Sequence, residues 1–557
     1  MRSIPLHALV AGALAVPAAG LGQTVDLALA GRIRAEAVER SQVLDHVRHL
    51  TDVLGPRLTG SPGLLRANEW TREKLESWGL ERARLEPFEF GQGWEFSRCE
   101  VRMIAPQLVP LAALPKAWTP GTTGAVRGEA LFVELESEDD LERHRGKLAG
   151  KILILEVERP ERPGGRGEPP RPDFERYDEE RLEELAEIDL DEPRGDAWRK
   201  RARKRFAFGR QLAEFLVAEG VLATVERSSR DLGILRVGGE SARRDPALPR
   251  GVPEVVMAAE PYQRIVRLLE KGEKVELEIA VEASFVTSDS KAYSTIAEIP
   301  GTDRARELVV AGAHLDSWHA GTGATDDGAG VAVVLEAARI LRSLGVRPRR
   351  TLRFALWGGE EQGLLGSASY VERFVADRPE PTDAAELALP RGLREPTWPI
   401  RPKPEHGRIS AYFNLDNGGG RIRGIYTQGN LAVAPIFQSW LAPLADLGAT
   451  TVTNESTGST DHVPFDRVGV PAFQFIQDPL DYMKHTHHTN LDTFERLQRE
   501  DLVQASIVMA TFLWQAAQRD EMLPRKPIPT QPPTAPAAAE PEDRSGAASA
   551  RAAGGQG

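Results

Sequence analysis

The stretch Thr351-Leu-Arg-Phe-Ala-Leu-Trp-Gly-Gly-Glu-Glu-Gln-Gly363 decides the reading of this chain. Its first seven residues form a strand-like run, and a Gly-Gly turn then delivers two adjacent carboxylates, Glu360 and Glu361, at the strand's end. Working outward, Leu308 to Ala311, Ile409 to Asn414 and Ala472 to Ile476 read as further buried strands, each followed by a turn or loop. Between Leu308 and Thr351, the residues Val331, Val334, Leu335, Ala338 and Leu341 repeat at helical spacing. Strand, turn and helix in alternation imply an α/β fold: a mainly parallel mixed sheet flanked by helices.

Chemistry-bearing residues fall at the ends of those strands. His314 follows the Leu308 strand closely and so lies at the carboxyl edge of the sheet, where open α/β sheets place their sites. Asp316, two residues on, points the same way if the backbone stays extended, and its carboxylate can accept the second N–H of His314. Asp326 lies in Gly323-Ala-Thr-Asp-Asp-Gly-Ala-Gly330, just ahead of the helix, where glycines permit close backbone approach. Asp416 follows the Ile409 strand. His485, His487 and His488 cluster late in a chain that has 11 His.

Each signal alone has a plainer explanation. Adjacent Glu residues are common on solvated surfaces, Asp326 or Asp327 can cap the helix, and Asp416 can close an Asx turn. Together, however, these residues offer one base, five metal-ligand types and a supporting carboxylate. A two-zinc hydrolase needs that set: cations to lower the pKa of a water, and a carboxylate to take its proton. Other hydrolytic designs are missing. Thr59-Gly-Ser-Pro-Gly63 has Thr where a serine-hydrolase elbow needs Gly, and no His-Glu-x-x-His helix occurs. Gly321-x-Gly323 is followed by Asp326 where a dinucleotide fingerprint needs Gly.

The bulk numbers bound the rest. A chain of 557 residues implies two or three domains. With 41% hydrophobic and 27% charged residues it has a soluble globular composition, and a net charge of -12 argues against a nucleic-acid partner. Met1-Arg2, an apolar stretch from Ile4 to about Ala19, and small residues up to Gly22 describe a signal peptide over 1–22, hence export to the periplasm or outside. That run is too short and too broken for a stable membrane span. The single cysteine, Cys99, forbids an intrachain disulfide and a Cys-built zinc site, and reads as a structural thiol in a strand.

Composition divides the chain further. Residues 35–120 and 290–520 are expected to form one discontinuous domain. Residues 121–288 carry short strand candidates and read as a small β-rich insert, interrupted by a charged excursion at 159–205 with too few apolar residues to pack alone. The Pro/Ala-rich tail, 526–557, reads as disordered.

In order along the chain, His314-x-Asp-Ser317, Gly323-Ala-x-Asp-Asp-Gly328, Gly359-Glu-Glu-x-Gly363, Asn414-Leu-Asp-Asn417 and His488-Thr-x-x-Asp-Thr493 resemble the co-catalytic zinc exopeptidases. The resemblance spans about Leu44 to Trp118 and Ala292 to Trp514. Phe473-Gln-Phe-Ile-Gln-Asp478 and the double His look most like the family's carboxypeptidase Q branch. It implies a phosphorylase/hydrolase-like fold and two co-catalytic Zn2+. Asp326 would bridge them, His314 and Asp416 would complete one site, and Glu361 and His488 the other. Glu360 would be the general base and Asp316 would steady His314. The bond between Asp326 and Asp327 would be cis. His487 stands where many relatives have Tyr and would donate to the oxyanion instead. Thr460-Asp-His-Val-Pro-Phe465 matches a loop beside the substrate pocket, which makes Asp461 and His462 pocket residues. Gly150-Lys-Ile-Leu-Ile-Leu155 and Ala218-Glu-Gly-Val-Leu-Ala223 resemble a protease-associated domain.

The resemblance implies a peptide or dipeptide substrate, leaves aminopeptidase, carboxypeptidase and dipeptidase open, and allows a homodimer. Arg57, Arg421 and Arg423 are candidates for a substrate carboxylate, and Asp461 or Glu455 for an amine. The rivals are a single-zinc glutaminyl cyclase and a non-catalytic binding relative.

Overall fold

The structure, a computed structural model, describes residues 25–155, 173–187 and 197–532. The expected signal peptide, part of the charged excursion and the tail beyond 532 lie outside these residues.

The apolar runs read from the sequence become the centre of an eight-stranded mixed sheet. Its order is Glu81–Glu89, Lys291–Ile299, Arg350–Trp357, Arg304–His314, Ile409–Asn414, Ala472–Gln477, Ile422–Tyr426 and Thr451–Thr453. The four central strands, Arg350–Trp357 through Ala472–Gln477, run parallel. Their carboxyl ends therefore share one edge. Both faces are covered, which is why these strands are apolar throughout instead of alternating.

Helix Ala329–Ser343 is buried on every side from Ala329 to Leu341, wider than the apolar stripe that announced it. Its polar members stay charged by pairing inside: Arg339 lies 2.7 Å from Glu36 and 2.9 Å from Glu336. Helix Arg499–Gln518 packs against it across the same core.

A second eight-stranded sheet has the order Val109–Leu111, Gly93–Ala105, Glu276–Val286, Val126–Val133, Lys151–Leu155, Ala223–Arg227, Glu254–Met257 and Ala113–Pro115. Its core is Ile152, Ile154, Val225, Val255 and Ile279, covered by helix Ala259–Glu270. The chain enters this sheet at Gly93, ahead of the change in composition near 121, because Gly93–Ala105 pairs antiparallel with Glu276–Val286. Cys99 lies in that long strand, and burial pushes its thiol up to about 12, an inert structural position. Phe88, Phe90, Trp94 and Trp118 form an aromatic seam between the sheets.

Two outlying segments are docked where they are described. In the charged excursion, Arg176 lies 2.9 Å from Asp478 and 2.7 Å from Asp501, and helix Glu179–Ala186 buries Leu182 and Leu185 against Ile476. The segment lacks a core of its own and borrows one. The tail is also anchored at its start, where Lys526 lies 2.6 Å from Asp466 and donates to the Gln428 carbonyl. No helix among the described residues is long and apolar enough to cross a membrane.

Candidate metal centre

His314 is the last residue of its strand, paired in register with Trp357. The turn after Trp357 carries Glu360 and Glu361, and Asp416 follows the neighbouring strand Ile409–Asn414. Asp326 comes from the loop ahead of helix Ala329–Ser343. That loop starts at Gly323, whose φ is +64°; a Cβ there would collide with Ser317 and Arg57. The Asp326–Asp327 peptide bond is cis, as the resemblance implies. His488 arrives from the far side, on the loop after Ala472–Gln477.

These side chains converge. His314 Nε2 lies 3.1 Å from Asp326 Oδ1 and 3.5 Å from Asp416 Oδ1. His488 Nε2 lies 3.3 Å from Asp326 Oδ2 and 3.0 Å from Glu361 Oε2. The two oxygens of Asp326 therefore face two different imidazoles. His314, Glu360 and Glu361 also bring donor atoms within 4.8 Å of one another, as do Asp326, His487 and His488.

Asp316 acts differently from the spacing argument. The Nδ1 of His314 reaches the Asp316 backbone carbonyl at 3.0 Å, while the nearer carboxylate oxygen is 3.7 Å away. The carboxylate instead accepts the backbone N–H of Glu360 and of Glu361, and the Thr59 hydroxyl at 2.8 Å. It therefore orients the Glu360–Glu361 turn, and its own main chain orients His314.

Burial drives the electrostatics. It holds Glu360 and Glu361 well above the ordinary carboxylate range, with Asp416 and other acids adding to the effect. For Asp326 the same burial is outweighed by the hydrogen bond to His314 and the nearby imidazoles, and its carboxyl is held low. His488 and His487 are each pulled down to about 4, chiefly by burial, and are neutral near pH 7. His314 goes the other way, because Asp416, Asp316 and Asp326 surround it.

This is a concentration of buried acids that the protein's own cations do not neutralise. Among the described residues, Glu361 Oε1 and Asp326 Oδ2 have no hydrogen-bond partner. Arg57, the candidate for a substrate carboxylate, is fully buried. Its guanidinium donates to the carbonyls of Leu50, Gly55, Leu315, Thr322 and Gly323, so it knits the loops and meets no substrate. Arg421 and Arg423 are likewise engaged, with Asp501 and Asp478. Mixed imidazole and carboxylate donors with surplus negative charge fit divalent metal ions.

Asp461 and His462 are both 0% exposed. Asp461 accepts from Ser367, and His462 Nε2 meets Gln428 at 2.6 Å and the Thr457 carbonyl at 3.2 Å. Both are enclosed, and Asp461 Oδ2 and His462 Nδ1 have no hydrogen-bond partner among the described residues. His487 stacks on His488 with ring centres 3.7 Å apart and packs edge-on against Tyr482.

Sequence reasoning missed two contributors. Asp327 accepts the backbone N–H of His314 and of Gly330, clamping strand end to helix start. Asp492 accepts the Thr325 backbone N–H at 2.6 Å and hydroxyl at 2.8 Å, fixing the His488 loop to the Asp326 loop. The Asp of His488-Thr-x-x-Asp492 was a signal that could have found the second.

Comparison with known proteins agrees with this geometry. Residues 294–513 match the family model described as Peptidase family M28. The chain is 26% identical over 509 residues to carboxypeptidase Q of Rattus norvegicus, covering 90% of this chain and 89% of that protein. The value for Homo sapiens carboxypeptidase Q is 25% over 502 residues, with 90% and 89% covered. A crystal structure of a peptidase M28 precursor from Shewanella amazonensis aligns over 91% of this chain and 99% of its own, with TM-score 0.62 and 25% identity. BSAP, a zinc aminopeptidase from Bacillus subtilis, shares the fold at TM-score 0.54 and 18% identity, with 86% and 95% covered. The match over residues 294–513 and the carboxypeptidase relatives along most of the chain indicate a metallo-exopeptidase, similar to the M28 peptidases.

Proposed function

We propose that this chain hydrolyses the peptide bond of dipeptides or of peptide ends with the help of two zinc ions, to both of which Asp326 would be a ligand. The observation that carries this reading is that Asp326 Oδ1 faces His314 and Oδ2 faces His488. His314 and Asp416 would hold one ion, Glu361 and His488 the other. Zinc bound there supplies Lewis acidity, which makes a water acidic and polarises the scissile carbonyl.

The protein's own groups do the rest. Glu360 takes the proton from the attacking water and returns it to the leaving amine. Asp316 holds the Glu360 backbone so that the carboxylate is aimed before substrate arrives. His487, stacked beside His488, would donate to the developing oxyanion.

We read the second sheet as a protease-associated-like insert and the N-terminal segment as an export signal. N-terminal sequencing of exported protein should find a start near Gly20 to Gly22. The function itself is tested by cleavage of matched dipeptides and longer peptides, free or blocked at either end, with and without a chelator. Cleavage that chelation abolishes and zinc restores is expected. Cleavage indifferent to chelation would overturn the reading.

A further inference from the structure

The loop that delivers His487 and His488 leaves strand Ala472–Gln477 in a conformation its own residues disfavour. Leu480 has φ +44° and His488 has φ +62°, in the left-handed region that residues with a Cβ rarely adopt. Between them the chain makes one helical turn, Tyr482–Thr486. The His485 N–H meets the Asp481 carbonyl at 2.7 Å and the His487 N–H the Tyr482 carbonyl at 2.8 Å. This short hydrogen-bonded turn leaves little slack between Leu480 and the two imidazoles.

Leu480 is held from outside the loop. Its N–H donates to the Glu175 carbonyl at 2.8 Å, and its carbonyl accepts the Glu175 N–H at 3.0 Å, an antiparallel bridge to the charged excursion. Next to it, Arg176 spans two buried carboxylates, Asp478 at 2.9 Å and Asp501 at 2.7 Å, and the Tyr177 N–H donates to Asp478 at 3.0 Å. Asp173 pairs with Lys484 and, at 3.0 Å, with His485. These contacts track the loop from its first residues almost to His487. Asp501 stands in the first turn of helix Arg499–Gln518, so Arg176 ties the loop to the core of the first sheet. Helix Glu179–Ala186 then seats Leu182 and Leu185 on Ile476, near the end of the strand from which the loop departs. Covering Ile476 explains the helix, but it does not require residues 173–177 to hydrogen-bond the loop's main chain.

We infer that residues 173–177 are a strap that positions the His488 loop for its metal ion, with Arg176 as the positioning residue that fastens it. The inference rests on the two-zinc reading for the identity of the ions. Arg176 acts through Asp478 and Leu480 on the place of His488. Releasing it leaves the disfavoured Leu480 conformation without its outside support. The ion held by Glu361 and His488 is then bound more weakly. The ion held by His314 and Asp416 depends on the ends of central strands, which the strap does not touch.

The test titrates metal-free wild type, Arg176→Ala, Arg176→Lys and Asp173→Asn with zinc by calorimetry. Hydrogen exchange of peptides spanning 478–490 and 351–363 is followed on the same metal-free proteins. In Arg176→Ala one of the two zinc affinities should fall by at least about ten-fold while the other stays within about three-fold. Arg176→Lys should fall between, because one ammonium does not span both carboxylates as the guanidinium fork does. Asp173→Asn should show a smaller loss at the same ion. Exchange should quicken over 478–490 and stay unchanged over 351–363. Two affinities unchanged, or lowered alike, overturn the inference, since a merely structural role does not single out one ion. If the wild type binds a single ion, the two-zinc reading fails and exchange alone judges the strap: quickening confined to 478–490 keeps it, and unchanged exchange removes it. If Arg176→Ala does not fold, Arg176→Lys and Asp173→Asn decide by the same criteria.

Discussion

His319 should make the joint between the two sheets sensitive to acid. It follows the His314–Asp316 segment of the first sheet and donates from Nε2 to the Pro115 carbonyl, 2.8 Å away on an edge strand of the second. Trp94 and Phe96 pack against its ring at 5.2 and 5.4 Å, and Nδ1 has no partner among the described residues. Burial pulls its pKa from the ordinary 6.5 down to about 4, the Pro115 hydrogen bond offsetting only part of this. In this window the unfolded chain binds a proton that the folded one refuses. Stability from this group is therefore complete above pH 6.5 and is lost as pH falls through 4. The whole interval is worth about 3 kcal/mol, of which about 2 kcal/mol disappears between pH 7 and pH 5. In His319→Gln the amide keeps a donor for Pro115 and does not titrate. Urea unfolding followed by tryptophan fluorescence, at both pH values, should show the wild type losing about 2 kcal/mol more than the variant. Carboxylates titrate in both proteins, so the difference isolates the imidazole. Equal losses in the two proteins would refute the reasoning.

Other consequences can be measured as directly. Glu360→Gln should lower kcat by at least about a hundred-fold while leaving metal content unchanged; near-normal turnover would show that another group moves the proton. Arg57→Met strands the carbonyls of Leu50, Gly55, Leu315, Thr322 and Gly323 in the interior. It should cost about 3–5 kcal/mol of stability, and a loss below about 1 kcal/mol would mean that the guanidinium is dispensable.

The four central parallel strands of the first sheet were legible because they are continuous apolar runs ending in functional residues, whereas its outer strands, Glu81–Glu89, Lys291–Ile299, Ile422–Tyr426 and Thr451–Thr453, were not read. The second sheet was harder. Nothing local in Gly93–Ala105 reveals that its partner is Glu276–Val286, since alternation reports a half-buried strand but not what pairs with it. The side chains that converge at the candidate centre were named by motifs, but their hydrogen-bond partners were not. Spacing suggested that the Asp316 side chain would hold His314, whereas the main chain does so, because the carboxylate is drawn to the exposed N–H groups of the Glu360 turn. Arg57 stayed a candidate for a substrate carboxylate because a sequence cannot show which carbonyls converge on it.

The bridging role proposed for Asp326 is tested most directly by metal stoichiometry. Metal-free protein titrated with zinc, with bound metal counted per chain, should take up two ions in the wild type. It should take up one in His488→Ala, and bind both ions far more weakly in Asp326→Ala. A wild type that saturates with one zinc per chain would contradict the two-metal centre, whatever its activity.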